Sequence, residues 1–79
     1  MKTVSPLLAK SIRCREDALV LVLAGSGEEA AIPWERCSSR LAAASPADRA
    51  QCRLSPGGYG INWPTLDEDL SIGGLLLRR

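Results

Sequence analysis

The spacing of apolar residues changes period at Trp34, from two to about 3.6, and so separates the leading strands from the helices that follow. Ser11-Ile12-Arg13-Cys14-Arg15 alternates polar and apolar, the mark of a half-buried strand. Glu16-Asp17 predicts a tight turn. Ala18-Leu19-Val20-Leu21-Val22-Leu23-Ala24 is a continuous apolar run with the length and β-branched content of a central strand. Gly25-Ser26-Gly27 supplies positive-φ positions for a hairpin. Glu28 to Ile32 then returns as a third strand, stopped by Pro33. The front of the chain is thus a three-stranded antiparallel meander. Ahead of it, Val4 to Ala9 reads as a strand end or an ordered arm, which Pro6 confines to an edge.

Trp34, Cys37, Leu41 and Ala44 stand at i, i+3, i+7 and i+10, one face of a helix, with Glu35, Arg36, Ser39 and Arg40 on the other side. Ser45-Pro46-Ala47-Asp48 is a helix-start signal: a hydroxyl N-cap, a proline at the first helical position and an acid in the first turn. It ends the first helix and opens a second that runs to about Gln51. Cys52-Arg53-Leu54 predicts a short strand, Ser55-Pro56-Gly57-Gly58 a turn, and Tyr59 to Trp63 the returning strand, ended by Pro64. Ile61 and Trp63 share a face of that strand. Ser71 is placed to cap a last short helix from Ile72, burying Leu75 and Leu76. The expected fold class is α+β: a small antiparallel sheet, made of the N-terminal meander plus short C-terminal strands, packed against two or three short helices.

Seventy-nine residues are room for a single domain, 1–79, with a thin core that dimerisation would help to cover. Ten basic against nine acidic side chains leave a net charge of +1, so bulk charge argues for neither nucleic acid nor a membrane surface. The longest apolar run falls well short of the ~18 residues of a membrane span. Met1-Lys2-Thr3-Val4-Ser5-Pro6 does not have the continuous apolar stretch of a signal peptide. Three widely spaced cysteines, Cys14, Cys37 and Cys52, do not form the even set of a disulfide scaffold. A cytoplasmic protein is the expectation.

Gly60-Ile61-Asn62-Trp63-Pro64-Thr65-Leu66-Asp67-Glu68-Asp69-Leu70-Ser71-Ile72-Gly73-Gly74-Leu75-Leu76 resembles the closing motif of the bacterial family known as domain of unknown function 2442. The motif positions are Gly60, Ile61, Trp63, Pro64, Asp67, Glu68, Asp69, Leu75 and Leu76. Ile32-Pro33-Trp34, Arg40-Leu41, Ala44-Ser45-Pro46 and Arg49 agree with the family upstream, and the likeness spans roughly Ser11 to Leu77. Gly25-Ser26-Gly27 departs from it, since members usually place Asp-Gly at that turn. The resemblance implies a small cytoplasmic α+β protein. It also implies an interaction role, since some members are fused to a helix-turn-helix domain and others are encoded beside a small protein as in a toxin–antitoxin pair. It brings no catalytic residues.

The candidate chemistry is sparse. Asp67-Glu68-Asp69 is the densest acid cluster, but no phosphate-binding loop or nearby lysine accompanies it. It reads as helix-start charge or as partners for arginines, and no metal or other cofactor is expected. Without histidine the cysteines lack both a zinc ligand set and a catalytic base. Arg36, Arg40, Arg49 and Arg53 all come from the helical half and form either a solvated face or a basic patch. Trp63 fits the core, whereas Trp34 fits core and partner anchor equally well. Trp34, Arg36, Arg40, Arg49 and Arg53 are therefore the candidate partner-binding residues of a non-catalytic protein that acts through protein contact, with homodimerisation a further option. The finer expectation is an antitoxin-like partner of a neighbouring small protein, and the alternative is a nucleic-acid-binding or transcription-regulatory accessory module. Because the acid cluster is not read as a metal site, millimolar Mg²⁺ or Ca²⁺ should leave the melting temperature unchanged; a rise with cation concentration would restore the metal reading.

Overall fold

The computed structural model describes residues 8–78, and within them the chain builds two three-stranded antiparallel sheets and four short helices. Strands β1 (Ala9–Cys14), β2 (Ala18–Leu23) and β3 (Glu29–Pro33) form the meander expected from the alternation. The arm expected at Val4 to Ala9 lies outside the described residues except at its end, where Leu8 accepts a hydrogen bond from Ala24 and Ala9 begins β1. Leu19 and Leu21 project from β2 into the core, as β-strand alternation requires. On the opposite face Arg13 and Glu29 pair at 3.1 Å across β2, above the buried Val20.

The helical middle departs from the expected single helix over Trp34 to Ala44. Helix α1 (Trp34–Cys37) stops at Ser38, whose backbone is extended at φ −170°, and α2 (Ser39–Ala43) restarts beyond it. The Ser38 hydroxyl accepts from the Leu41 amide at 3.1 Å, so this residue is an N-cap and not a helical position. The break still delivers Trp34, Cys37 and Leu41 to the core. Helix α3 (Pro46–Ala50) begins as expected, with Ser45 capping the Asp48 amide. Helix α4 (Ile72–Leu77) begins with Ser71 capping Gly74, and it buries Ile72 and Leu75 while Leu76 packs at the core's edge.

Strands β4 (Arg53–Leu54) and β5 (Gly60–Trp63) form the second hairpin. The acid run does not stand ahead of the last helix as helix-start charge. Pro64–Leu66 makes one 3-10 turn, Asp67 takes a left-handed conformation at φ 51°, and Glu68–Ser71 becomes β6, paired with β5. The third strand thus makes a separate second sheet where only a hairpin was expected. Pairing explains it: β5 would otherwise show an unpaired edge, and Ile61 opposite Leu70 extends the apolar inner face.

One hydrophobic cluster joins the two sheets, with Leu19, Leu21 and Ile32 from the first, Ile61 and Trp63 from the second, and Trp34, Cys37, Leu41, Ile72 and Leu75 from the helices. No helix among the described residues is long and apolar enough to cross a membrane. The backbones of the two halves meet where the Ala9 amide donates to the Gly58 carbonyl at 2.7 Å. Gly58 is buried at φ +76°, and a Cβ there would collide with the Ala9 carbonyl, so only glycine lets the turn approach β1. Gly25 has a similar φ of +87° but open space around it. Gly58→Ala should therefore cost at least ~2 kcal/mol and Gly25→Ala about 1 kcal/mol. Urea denaturation checks the order, and equal costs would show that the contact with Ala9 contributes nothing.

Candidate functional site

A helix of four or five residues satisfies almost none of its own carbonyls, so donors must come from elsewhere. Arginines supply them here. Arg49 donates from Nε to the Leu41 carbonyl and from a terminal nitrogen to Ala42, each at 2.8 Å, and so closes the end of α2. Its guanidinium also lies 5.1 Å from the centre of the Trp34 ring, within cation–π range. Arg78 donates to the Cys37 carbonyl at 2.7 Å and closes α1. Arg40 reaches the carbonyls of Leu66 and Asp67 at 2.9 and 3.0 Å and holds the 3-10 turn.

The four candidate arginines therefore fall into two kinds. Arg40 and Arg49 are committed to backbone carbonyls, whereas the side chains of Arg36 and Arg53 are exposed and make no hydrogen bond among the described residues. Trp34 is not a surface anchor: it is 1% exposed, and its indole donates to the Arg15 carbonyl at 2.9 Å. Trp63 is fully buried, as expected, and donates to the Arg49 carbonyl at 3.0 Å. Neither indole nitrogen is left unpaired, which is the condition for burying tryptophan without penalty.

The acids also separate. Glu68 and Asp69 are consecutive strand residues and so face opposite sides of the second sheet, while Asp67 sits in the turn before it. Asp69 accepts from the Asn62 side chain at 2.9 Å across the β5–β6 pair. The partner that Arg40 finds nearby is main-chain carbonyl and not carboxylate. Among the described residues, no three His, Cys, Asp or Glu side chains converge as metal ligands would.

What the structure adds is a shallow groove of about 300 Å³ on the second sheet, bordered by Ser55, Tyr59, Gly60, Asn62, Asp69 and Leu70. Tyr59 stands 61% exposed at its rim. Gly60, a β5 residue, is part of its lining, and a Cβ there would make only ordinary contacts of 3.5 and 3.8 Å. No steric or positive-φ demand requires this glycine. In a strand it costs stability, and it commonly marks close approach by another backbone or a ligand. The motif residues thus divide: Ile61, Trp63, Leu75 and Leu76 serve the core, Pro64 and Asp67 shape the turn, and Gly60 and Asp69 face the groove. The sequence signal for the groove was a lone tyrosine beside a glycine-rich turn, but nothing in it showed that β6 would supply the second wall.

A family model described as Protein of unknown function (DUF2442) matches residues 9–79, the family that the closing motif resembles. The chain belongs to that family. It is similar to a protein of unknown function from Rhodospirillum rubrum whose crystal structure is known, with 29% sequence identity and a TM-score of 0.79. That match covers 92% of this chain and 88% of the other. No curated protein matches this chain.

Arg49→Met should destabilise the fold by about 2–3 kcal/mol, through two charge-assisted hydrogen bonds and the contact with Trp34. Arg49→Lys should recover less than half of that, because an ammonium cannot span two carbonyls as a planar fork does. Arg36→Met should stay within about 0.5 kcal/mol. Chemical denaturation distinguishes them; equal effects at positions 36 and 49 would reduce Arg49 to a surface charge.

Proposed function

We propose that this member of the DUF2442 family acts without catalysis, by binding a protein partner through the β5–β6 groove. The observation that carries this reading is Gly60, a strand glycine that neither sterics nor φ demands, lining a groove beside an exposed tyrosine. Tyrosine is a frequent anchor of protein interfaces, and glycine lets a partner's backbone or apolar side chain come close. Asp69, held by Asn62, adds an acceptor at the rim suited to a partner's amide or basic group. The partner is an extended segment with an apolar residue over Gly60. The finer reading, an antitoxin-like partner of a neighbouring small protein, rests on the family resemblance.

The helical side supports a second reading less well. Arg36 and Arg53 are exposed, but a nucleic-acid groove made of two arginines would have little electrostatic reach.

A tagged pull-down from the native host, nuclease-treated and washed at moderate salt, tests the proposal. Recovery of one small protein near equal stoichiometry is expected. Tyr59→Ala and Gly60→Ala should each weaken the recovered complex at least tenfold, about 1.4 kcal/mol, with the melting temperature of the free chain nearly unchanged. Binding that ignores both changes yet falls on Arg36→Glu with Arg53→Glu would move the interface to the helical side. Salt-sensitive recovery of nucleic acid would replace the protein reading with the regulatory one.

A further inference from the structure

Two of the three cysteines, remote in sequence, meet in the fold. The Sγ atoms of Cys14, at the end of β1, and Cys52, just before β4, are 3.7 Å apart, and both residues are half-buried. The Arg49 carbonyl, the oxygen that accepts from Trp63, lies 3.4 Å from Cys14 Sγ, so the one Cys14 proton can turn either to that oxygen or to Cys52. Shallow depressions open on either side: one of about 330 Å³ is lined in part by Cys14 and Arg49, the other of about 250 Å³ by Cys52 and Pro64. Small solutes can therefore reach the pair. Cys37 is fully buried against the Ile32 carbonyl and takes no part.

We propose that Cys14 and Cys52 form an oxidant-sensitive dithiol, in which peroxide-class oxidants convert the two thiols to a disulfide that staples the first sheet to the second. Cys52 is the attacking sulfur. When the Cys14 proton turns to Cys52, that hydrogen bond holds the Cys52 thiol below the ordinary cysteine range and favours its thiolate. The same bond and burial push Cys14 upward, which keeps it protonated. Burial pushes Cys37 up to about 11 and leaves it inert.

The Cys52 thiolate attacks one peroxide oxygen, the O–O bond breaks, and hydroxide departs to take up the proton that Cys52 released. Cys52 is now a sulfenic acid. Cys14 sulfur attacks Cys52 sulfur, the S–O bond breaks, and the leaving hydroxide takes the Cys14 proton as water. Two thiols lose two electrons in all, and one peroxide becomes two waters. Rotation of the two side chains brings the sulfurs from contact to bond distance. Because the bond closes a long loop and joins the strand β1 to the segment that carries α3 into β4, it restrains the unfolded chain strongly.

The test is intact-mass analysis of the purified, fully reduced chain after one equivalent of hydrogen peroxide. The protein should lose the mass of two hydrogen atoms, and on denaturation only Cys37 should take up iodoacetamide, against all three cysteines in untreated protein. Trypsin should release Cys14-Arg15 joined to Ala50-Gln51-Cys52-Arg53. The melting temperature should rise by on the order of 10 °C and return with dithiothreitol. In Cys14→Ser, dimedone should trap a sulfenic acid at Cys52 at least about tenfold faster than Cys37 reacts. In Cys52→Ser, Cys14 should give almost none. No mass loss, a bridge that includes Cys37, or only bridges between molecules would each overturn the proposal. Trapping at Cys14 in Cys52→Ser would overturn the assignment of the attacking sulfur.

Discussion

Arg49 is the constraint on which the rest of this structure depends. Its guanidinium closes the end of α2 and rests over Trp34, while its own carbonyl accepts from Trp63 and lies within reach of the Cys14 thiol. One residue thus ties both tryptophans, two helices and strands of both sheets to a single point. The need for such a residue follows from helix length. Segments of four or five residues have little internal hydrogen bonding, and burying their ends without donors would cost roughly 1–3 kcal/mol for each orphan group.

The same principle runs through the whole helical side. Serine hydroxyls start α2, α3 and α4, while arginines or indoles finish α1, α2 and α3. Arg40, Arg49 and Arg78 thus spend their donors on peptide carbonyls, while Arg36 and Arg53 stay exposed. No buried side-chain nitrogen or oxygen among the described residues is left without a partner. A thin core can tolerate such a polar shell only when every member is satisfied.

The arginine closures and the exposed groove consequently belong to different elements. The helical face is occupied by its own closure. The second sheet keeps an exposed tyrosine, a glycine that leaves room above β5, and an aspartate oriented by Asn62. Arg49, Trp34 and Trp63 do not line the groove, although Ile61 belongs both to its lining and to the core cluster.

Much of this architecture was legible in local sequence. Alternation and the apolar run set the meander within a residue or two, and Ser45-Pro46 and Ser71 marked the starts of α3 and α4, because capping and strand periodicity depend on near neighbours. The break at Ser38 was not legible, since its hydroxyl competes with a helix that the apolar spacing alone would allow. Glu68 to Ser71 have poor strand propensity, and only the open edge of β5 makes them a strand. The pattern left Trp34 open between core and surface, and the destinations of Arg40 and Arg49 and the meeting of Cys14 with Cys52 were not in it at all. They depend on contacts between residues far apart in the chain, and tertiary packing alone decides which carbonyl, ring or thiol each one meets.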